Sequence, residues 1–428
     1  MNVIEFPPRE KWAEIIKRPV MDTRQLAPAV ANILENVRVN GDAALREYSR
    51  RFDVVGLDGL AVSEDEFLAA ETAVPTQLKH AIGVAKVNIE KFHATESELF
   101  TTIETTPGVK CWKRDLPIEK VGLYVPAGSA PLFSTVLMLA IPAKLAGCRE
   151  IILCSPPDTD GMVNAATLYA ARLCGVTRVF KIGGAQAIAA MAFGTDTVPR
   201  VYKIFGPGNQ YVTEAKLQVL REGVAIDMPA GPSEVAVLAD DSCVPAFVAA
   251  DLLSQAEHGT DSQVVLVSDS KNVIDEVSGE IERQLDRLPR REIASTALEN
   301  SRAILIGSIA DGMDLLNEYA PEHLILAVRK AMEIAETVVN AGSVFIGNYS
   351  CESAGDYASG TNHTLPTNGA ARAFSGVSKA SFMKTMTYQC ISAEGIRNLG
   401  PVIRTMADAE GLHAHRNAVS IRTEYIGD

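Results

Sequence analysis

At 428 residues the chain is long enough for two or three domains of roughly 150 residues each. Its 47% hydrophobic and 22% charged composition rules out disorder and a disulfide-stapled miniprotein, and seven scattered cysteines without a C-x-x-C pair point to a reducing compartment and exclude a thiolate zinc knuckle. Lys+Arg 40 against Asp+Glu 53 leaves a net charge of −13 with no basic block, which argues against nucleic acid or an anionic membrane as partner.

Met1 to Pro8 carries neither a basic n-region nor an apolar h-region, so a cytoplasmic protein is expected. Residues 1–22, with Pro7, Pro8 and Pro19, read as an arm. From Asp22 to about Phe100 the pattern is helical. Leu26, Val30, Ile33, Leu34 and Val37 share one face, Asp42 starts a second helix, and the capping box Ser63-Glu64-Asp65-Glu66 opens a third. Leu78, Ile82 and Ile89 mark a fourth.

The texture then changes. Short β runs at 121–125, 150–154, 178–182, 201–205 and 234–238 alternate with helical stretches at 135–146, 162–174, 186–193 and 211–220. Such alternation means right-handed βαβ crossovers and a parallel sheet. The strongest apolar run, Val136 to Ala143, stops at Lys144, far short of the roughly 20 residues of a membrane span. A second series puts strands at 264–267, 303–306, 324–328 and 344–346, with helices near 246–258, 271–286, 311–319 and 330–340. The expected fold class is α/β, with two Rossmann-like lobes of parallel sheet, a cleft between them and a helical N-terminal region. Gly347 to Gly376 has no periodicity and reads as a long functional loop. The last fifty or so residues are helical again, with Ile396, Leu399, Ile403 and Met406 on one face.

Five of the seven histidines lie beyond residue 255, and the chemistry follows them. Gln255 and His258 sit three apart on a helix ended by Gly259, so they share a face near its C-terminus; a histidine capping the last carbonyls is the plainer reading. Glu322-His323, at a helix-to-strand junction, suits general acid–base work or is a solvated loop pair. The loop from Glu352 to Pro366 offers Asp356 as a hard oxygen donor and His363 seven residues on, among small residues that let backbone approach a ligand. In Glu410-Gly411-Leu412-His413-Ala414-His415 the two histidines do not face the same way on a helix, so at most one joins a given site. Pooled, these groups form an N/O set that suits Zn²⁺ or Mn²⁺ with room for a ligand.

Three glycine turns follow strands: Pro126-Ala127-Gly128, Gly183-Gly184-Ala185-Gln186 and Gly206-Pro207-Gly208-Asn209-Gln210-Tyr211. The last is not G-x-G-x-x-G, because Tyr211 stands where the third glycine belongs. Together they argue for a nucleotide-sized cleft within 121–240.

In this order, Val121-Gly122-Leu123-Tyr124-Val125-Pro126, Gly183-Gly184-Ala185-Gln186-Ala187, Phe205-Gly206-Pro207-Gly208-Asn209 and Ile226-Asp227-Met228-Pro229-Ala230-Gly231-Pro232-Ser233-Glu234 resemble the histidinol dehydrogenase family. The four histidine-bearing segments extend the resemblance to the C-terminus. It implies oxidation of L-histidinol to L-histidine in two NAD-dependent steps through an aldehyde, the last step of histidine biosynthesis. It implies one zinc per subunit on Gln255, His258, Asp356 and His415, and NAD contacts from Tyr124, Gln186 and Asn209. Ser233, His323 and Glu410 would join the zinc ligands in holding substrate. His323 would serve as general base and Glu322 would activate water.

The resemblance also implies a homodimer in which Glu410 and His415 serve the partner's site. His413 stands beside that ligand, so the choice of His415 rests on motif alignment. The expected division is an arm at 1–22, a lobe of 23–120 with 235–376 carrying the bases and part of the zinc site, an incomplete Rossmann lobe for NAD at 121–234, and a helical domain at 377–428. Beside this stand a relative acting on another amino alcohol or diol, a zinc hydrolase using Glu322 or Glu410, for which no H-E-x-x-H helix exists, and an inactive scaffold, against which the intact set of ligands and bases argues.

Overall fold

The β runs become strands that follow one another in a computed structural model describing residues 1–19, 26–95, 101–127, 131–228 and 231–427. They are β1 (Asn2–Glu5), β2 (Ile103–Thr106), β3 (Val109–Pro117), β4 (Lys120–Tyr124), β5 (Glu150–Ser155), β6 (Arg178–Lys181), β7 (Lys203–Phe205), β8 (Ala225–Ile226), β9 (Glu234–Ala239), β10 (Gln263–Ser268), β11 (Arg302–Leu305), β12 (His323–Ala327), β13 (Ser343–Ile346) and β14 (Met383–Ile391). Asp22, Gly128, Pro229 and Ala230, used above, lie outside the described residues. The chain forms two compact units: Met1–Thr95 with Ile118–Phe382, and Glu96–Pro117 with Met383–Asp428.

The larger unit holds two parallel sheets. One has the order β6-β5-β4-β7-β8, five strands of the Rossmann order 3-2-1-4-5-6. Its strands β4 and β5 are buried almost throughout because helices cover both faces, so they read as continuous apolar runs rather than as an alternation. The helix Phe133–Ala146 is apolar all round for the same reason. On the other face the helices Gly184–Phe193 and Gln210–Arg221 share a core with the N-terminal helix Leu26–Tyr48. The N-terminal helices, grouped above with the other lobe, thus pack against this one.

The second sheet runs β1-β11-β10-β9-β12-β13, all parallel. One core lies under the helices Pro245–Ala256, Lys271–Leu285 and Arg291–Glu299, the other under Ile309–Tyr319. Two expectations change here. Residues near the N-terminus do not hang free as an arm, since Asn2–Glu5 pairs in register with Arg302–Leu305 and Trp12 and Ile16 enter the core. The helix expected at 330–340 shrinks to Ala331–Ala335.

Register fixes where chemistry can sit. His323 opposes Val235, so Ser233, Glu234, Glu322 and His323 gather at the amino edge of β9 and β12. The Ser63–Glu66 capping box is present as read. Gly41, at φ 49 and ψ −128, breaks the helical run, so a second helix starts at Asp42 as read, and the Asp42 carboxylate takes the Thr197 hydroxyl and N–H.

The smaller unit carries structure the periodicity hid. β14, β3 and β2 form an antiparallel sheet beside the packed helices Ala393–Ala409 and His413–Ile426. β14 is largely exposed and β3 largely half-buried, and with several Lys, Arg and Thr they show no apolar alternation; across the pair Trp112 stacks on Tyr388, 5.5 Å between centroids. No helix among the described residues is long and apolar enough to cross a membrane.

Candidate active site

Glu234, first residue of β9, organises the amino edge. Its carboxylate is consumed by the Arg18 fork, at 2.5 and 2.8 Å, and by the Asn368 N–H at 2.8 Å, while Arg18 also lies over the Tyr319 ring. Its backbone serves the neighbouring groups. The Glu234 N–H donates to Glu322 Oε2 at 2.9 Å, and its carbonyl accepts from His323 Nδ1 at 3.1 Å and Gln255 Nε2 at 3.1 Å. A carbonyl can only accept, so His323 carries a hydrogen on Nδ1 and turns Nε2 toward Asp356 Oδ1, 3.4 Å away. Glu322 and His323 are both fully buried, so the solvated-pair reading fails. Burial pushes the Glu322 carboxyl up to about 8. Burial works the other way on His323, but the Glu322, Glu352 and Asp356 carboxylates outweigh it and raise the imidazole to about 10.

Across from this pair stands a cluster of possible metal donors. His258, Glu352 and Asp356 each present a ligand atom, and these atoms all lie within 4.8 Å of one another. His258 is not on the helix as expected. That helix ends at Ala256, and the turn that follows carries the imidazole, with the His258 N–H bonded to the Gln255 carbonyl. Gln255 stays in the last helical turn, its amide nitrogen 3.3 Å from Glu322 Oε2. The loop taken as irregular contains a short helix, Glu352–Tyr357, so Glu352 and Asp356 stand i, i+4 on one face. Glu352 is the residue that sequence reasoning passed over, and that spacing was its signal. Burial raises its carboxyl well above the usual range. For Asp356 burial is outweighed by the His323 imidazole, which holds the carboxyl low.

His363 bridges the two lobes rather than joining the donor set. Its Nδ1 donates to the Asp356 carbonyl at 2.9 Å, which leaves Nε2 to accept from the Thr135 hydroxyl at 3.1 Å. The Asn362 amide donates to the Met138 carbonyl at 2.6 Å, so two adjacent loop residues are fastened to the helix Phe133–Ala146. Ser233 immediately precedes β9 at the same amino edge.

In the five-stranded lobe, Tyr124, Gln186 and Asn209 are brought to the carboxyl ends of β4, β6 and β7. β4 and β7 flank the point where strand order reverses, where sheets of this kind bind ligands. The Tyr124 hydroxyl accepts the Gly184 N–H at 3.0 Å, and burial pushes that phenol up to about 12. Gly206 has φ +124, and a Cβ there would run into the Tyr124 carbonyl. Asn209 caps the helix Gln210–Arg221 with its side-chain oxygen. The loop is held from beneath by a buried ion pair, Lys216 with Asp227: Lys216 Nζ donates to the Gly206 carbonyl at 2.9 Å, and the Gly206 N–H donates to Asp227 Oδ2 at 2.8 Å.

Glu410 and His415 belong to the smaller unit. Glu410 ends the helix Ala393–Ala409 and His415 lies in the first turn of His413–Ile426, both exposed. His413, exposed beside them, is 3.9 Å from Asp408.

A family model described as histidinol dehydrogenase matches residues 16–423. A histidinol dehydrogenase of Bacteroides thetaiotaomicron is 56% identical over 422 residues, covering 99% of each chain. One from Xanthomonas euvesicatoria is 56% identical over 411 residues, 96% of this chain and 95% of its own. The crystal structure of histidinol dehydrogenase from Elizabethkingia anophelis superposes with a TM-score of 0.98 at 53% identity, covering 100% of this chain and 99% of that one.

Proposed function

The chain belongs to the histidinol dehydrogenase family, enzymes of histidine biosynthesis, and from that premise we propose that it oxidises L-histidinol to L-histidine through L-histidinaldehyde, reducing two NAD per substrate. The observation that carries this reading is the buried Glu322–His323 pair, with His323 Nε2 aimed at the donor cluster. With its proton lost, a state favoured toward alkaline pH because the imidazole is raised to about 10, His323 Nε2 takes the hydroxyl proton while the carbinol carbon gives up hydride, which leaves the aldehyde. The aldehyde has no second hydride to give until water adds to it. Glu322, ionised above its raised value of about 8, takes a proton from that water, and His323 then serves the hydrate as it served the alcohol. The water supplies the second carboxylate oxygen, so the two steps balance.

Zinc fits the donors: His258, Asp356 and the Gln255 side-chain oxygen are the hard N and O ligands such an ion takes, and Asp356 Oδ1 is buried without a hydrogen-bond partner. When bound it supplies a fixed positive anchor for the substrate's imidazole and amine. His415 of a second copy completes that set in this reading, with Glu410 beside it, in a homodimer with shared sites. NAD fits the crevice of Tyr124, Gln186 and Asn209 and would supply the hydride acceptor; the bare Gly206 lets the loop after β7 lie directly against the Tyr124 backbone. Ser233 joins the substrate contacts from the amino edge.

The test is the amount of NADH formed from L-histidinol with and without a chelator. Two NADH per substrate, lost on chelation, is expected. One NADH would mark a simple alcohol dehydrogenase, and none would sink the assignment.

A further inference from the structure

Three glutamates are buried around the amino edge, and the fold treats them differently. Glu234 is matched by Arg18 and the Asn368 N–H, and Glu322 by the Glu234 N–H and the Gln255 amide. Glu352 is 1% exposed, and neither of its carboxylate oxygens has a hydrogen-bond partner. The His323 imidazole and three further carboxyl groups, Asp356, Glu322 and Asp251, act on it most strongly, and the His258 imidazole stands close by. A carboxylate kept for structure would be given donors, because a buried charge is tolerated only when matched. This one is left open toward His258 and Asp356.

We propose that Glu352 is a working member of the site, a carboxylate that meets a cation when the site is loaded. The shared chemistry is a positive charge with room beside His258 and Asp356, and it has two sources. One is the divalent ion itself, for which Glu352 would be a third hard donor within the same subunit. The other is the ammonium group of an amino-alcohol substrate, and that source rests on the function proposed above. The helix start does not need the carboxylate, since it is the Glu352 backbone N–H that donates to Asp251.

The experiment uses E352Q, which keeps the shape and removes the charge. Zinc affinity is read on metal-stripped full-length protein in competition with a chromogenic chelator, and histidinol binding is read by calorimetry on the zinc-saturated protein. A loss of zinc affinity of about tenfold or more identifies the ion as the cation. Unchanged zinc affinity with histidinol binding weakened about tenfold or more identifies the ammonium. Metal-free E352Q is also expected to melt above metal-free wild type, because the amide is neutral without having to take up a proton to be buried there. Unchanged affinities for both, or a metal-free variant that melts lower or does not fold, overturn the proposal and make Glu352 a structural group. The zinc titration needs no turnover, so it stands or falls separately from histidinol oxidation.

Discussion

In the proposed reaction Glu322 and His323, adjacent in sequence, serve separable chemistry, and their surroundings say how to separate them. His323 has its Nδ1 pinned by the Glu234 carbonyl and its Nε2 turned toward Asp356, so it is the group able to reach the substrate in both oxidations. Glu322, held through Oε2 by the Glu234 N–H, is needed only where water must be deprotonated. Glu322→Gln is therefore expected to slow oxidation of L-histidinaldehyde by about 10²–10⁴-fold while the alcohol step persists. Single-turnover measurements with each substrate check this, and a slowed alcohol step with intact aldehyde oxidation would reverse the assignment. Near Tyr124, on which its charge acts, Asp53 gives a pH-dependent counterpart. Burial raises its carboxyl to about 6, and its Oδ2 has no hydrogen-bond partner. An acid whose folded pKa lies above its unfolded one costs nothing while protonated and lowers stability as pH climbs from the unfolded value through the folded one. Asp53→Asn should thus raise the melting temperature at pH 8, with the gain vanishing near pH 4. A loss at pH 8 would contradict it.

At the scale of elements, the loop between β7 and the helix Gln210–Arg221 is positioned by the Lys216–Asp227 pair, which grips both backbone groups of Gly206. Both side chains are almost wholly buried. Lys216→Met leaves Asp227 buried without its partner and should cost about 3–5 kcal/mol in urea unfolding, most of it recovered by adding Asp227→Leu. The double variant should still bind NAD more weakly, because the loop has lost its clamp, while zinc content stays unchanged. The alternating lobes were legible because strands buried on both faces make apolar runs and the helices between them keep their period. β1 was hidden by its exposed edge position, and β3 and β14 by charged, half-solvated faces. Among site residues, Glu322, His323, His258 and Asp356 could be found because His and Asp stand out among small residues. Glu352 was harder to find, since an acid at the head of a polar loop looks solvated, and its i, i+4 spacing to Asp356 counts only once the segment is known to be helical.

At the scale of the whole molecule, the two C-terminal helices of the smaller unit carry exposed apolar side chains. Val402 and Met406 on one helix, and Ile421 and Tyr425 on the next, are open, Tyr425 at 91% exposure. These side chains suit the proposed isologous contact with a second copy, and Glu410 and His415 lie exposed on the same pair of helices. If sites are shared, mixing an inactive Glu322→Gln chain with an inactive His415→Ala chain should restore aldehyde oxidation to about a quarter of wild type, since half of randomly paired dimers hold one whole site. Independent sites would restore nothing. The most direct measurement remains the stoichiometry of L-histidinol oxidation by the zinc-loaded protein. Two NADH per L-histidinol, abolished by a chelator and restored by zinc, is the predicted result; one NADH with aldehyde accumulating, or full turnover after the metal is stripped, would contradict it.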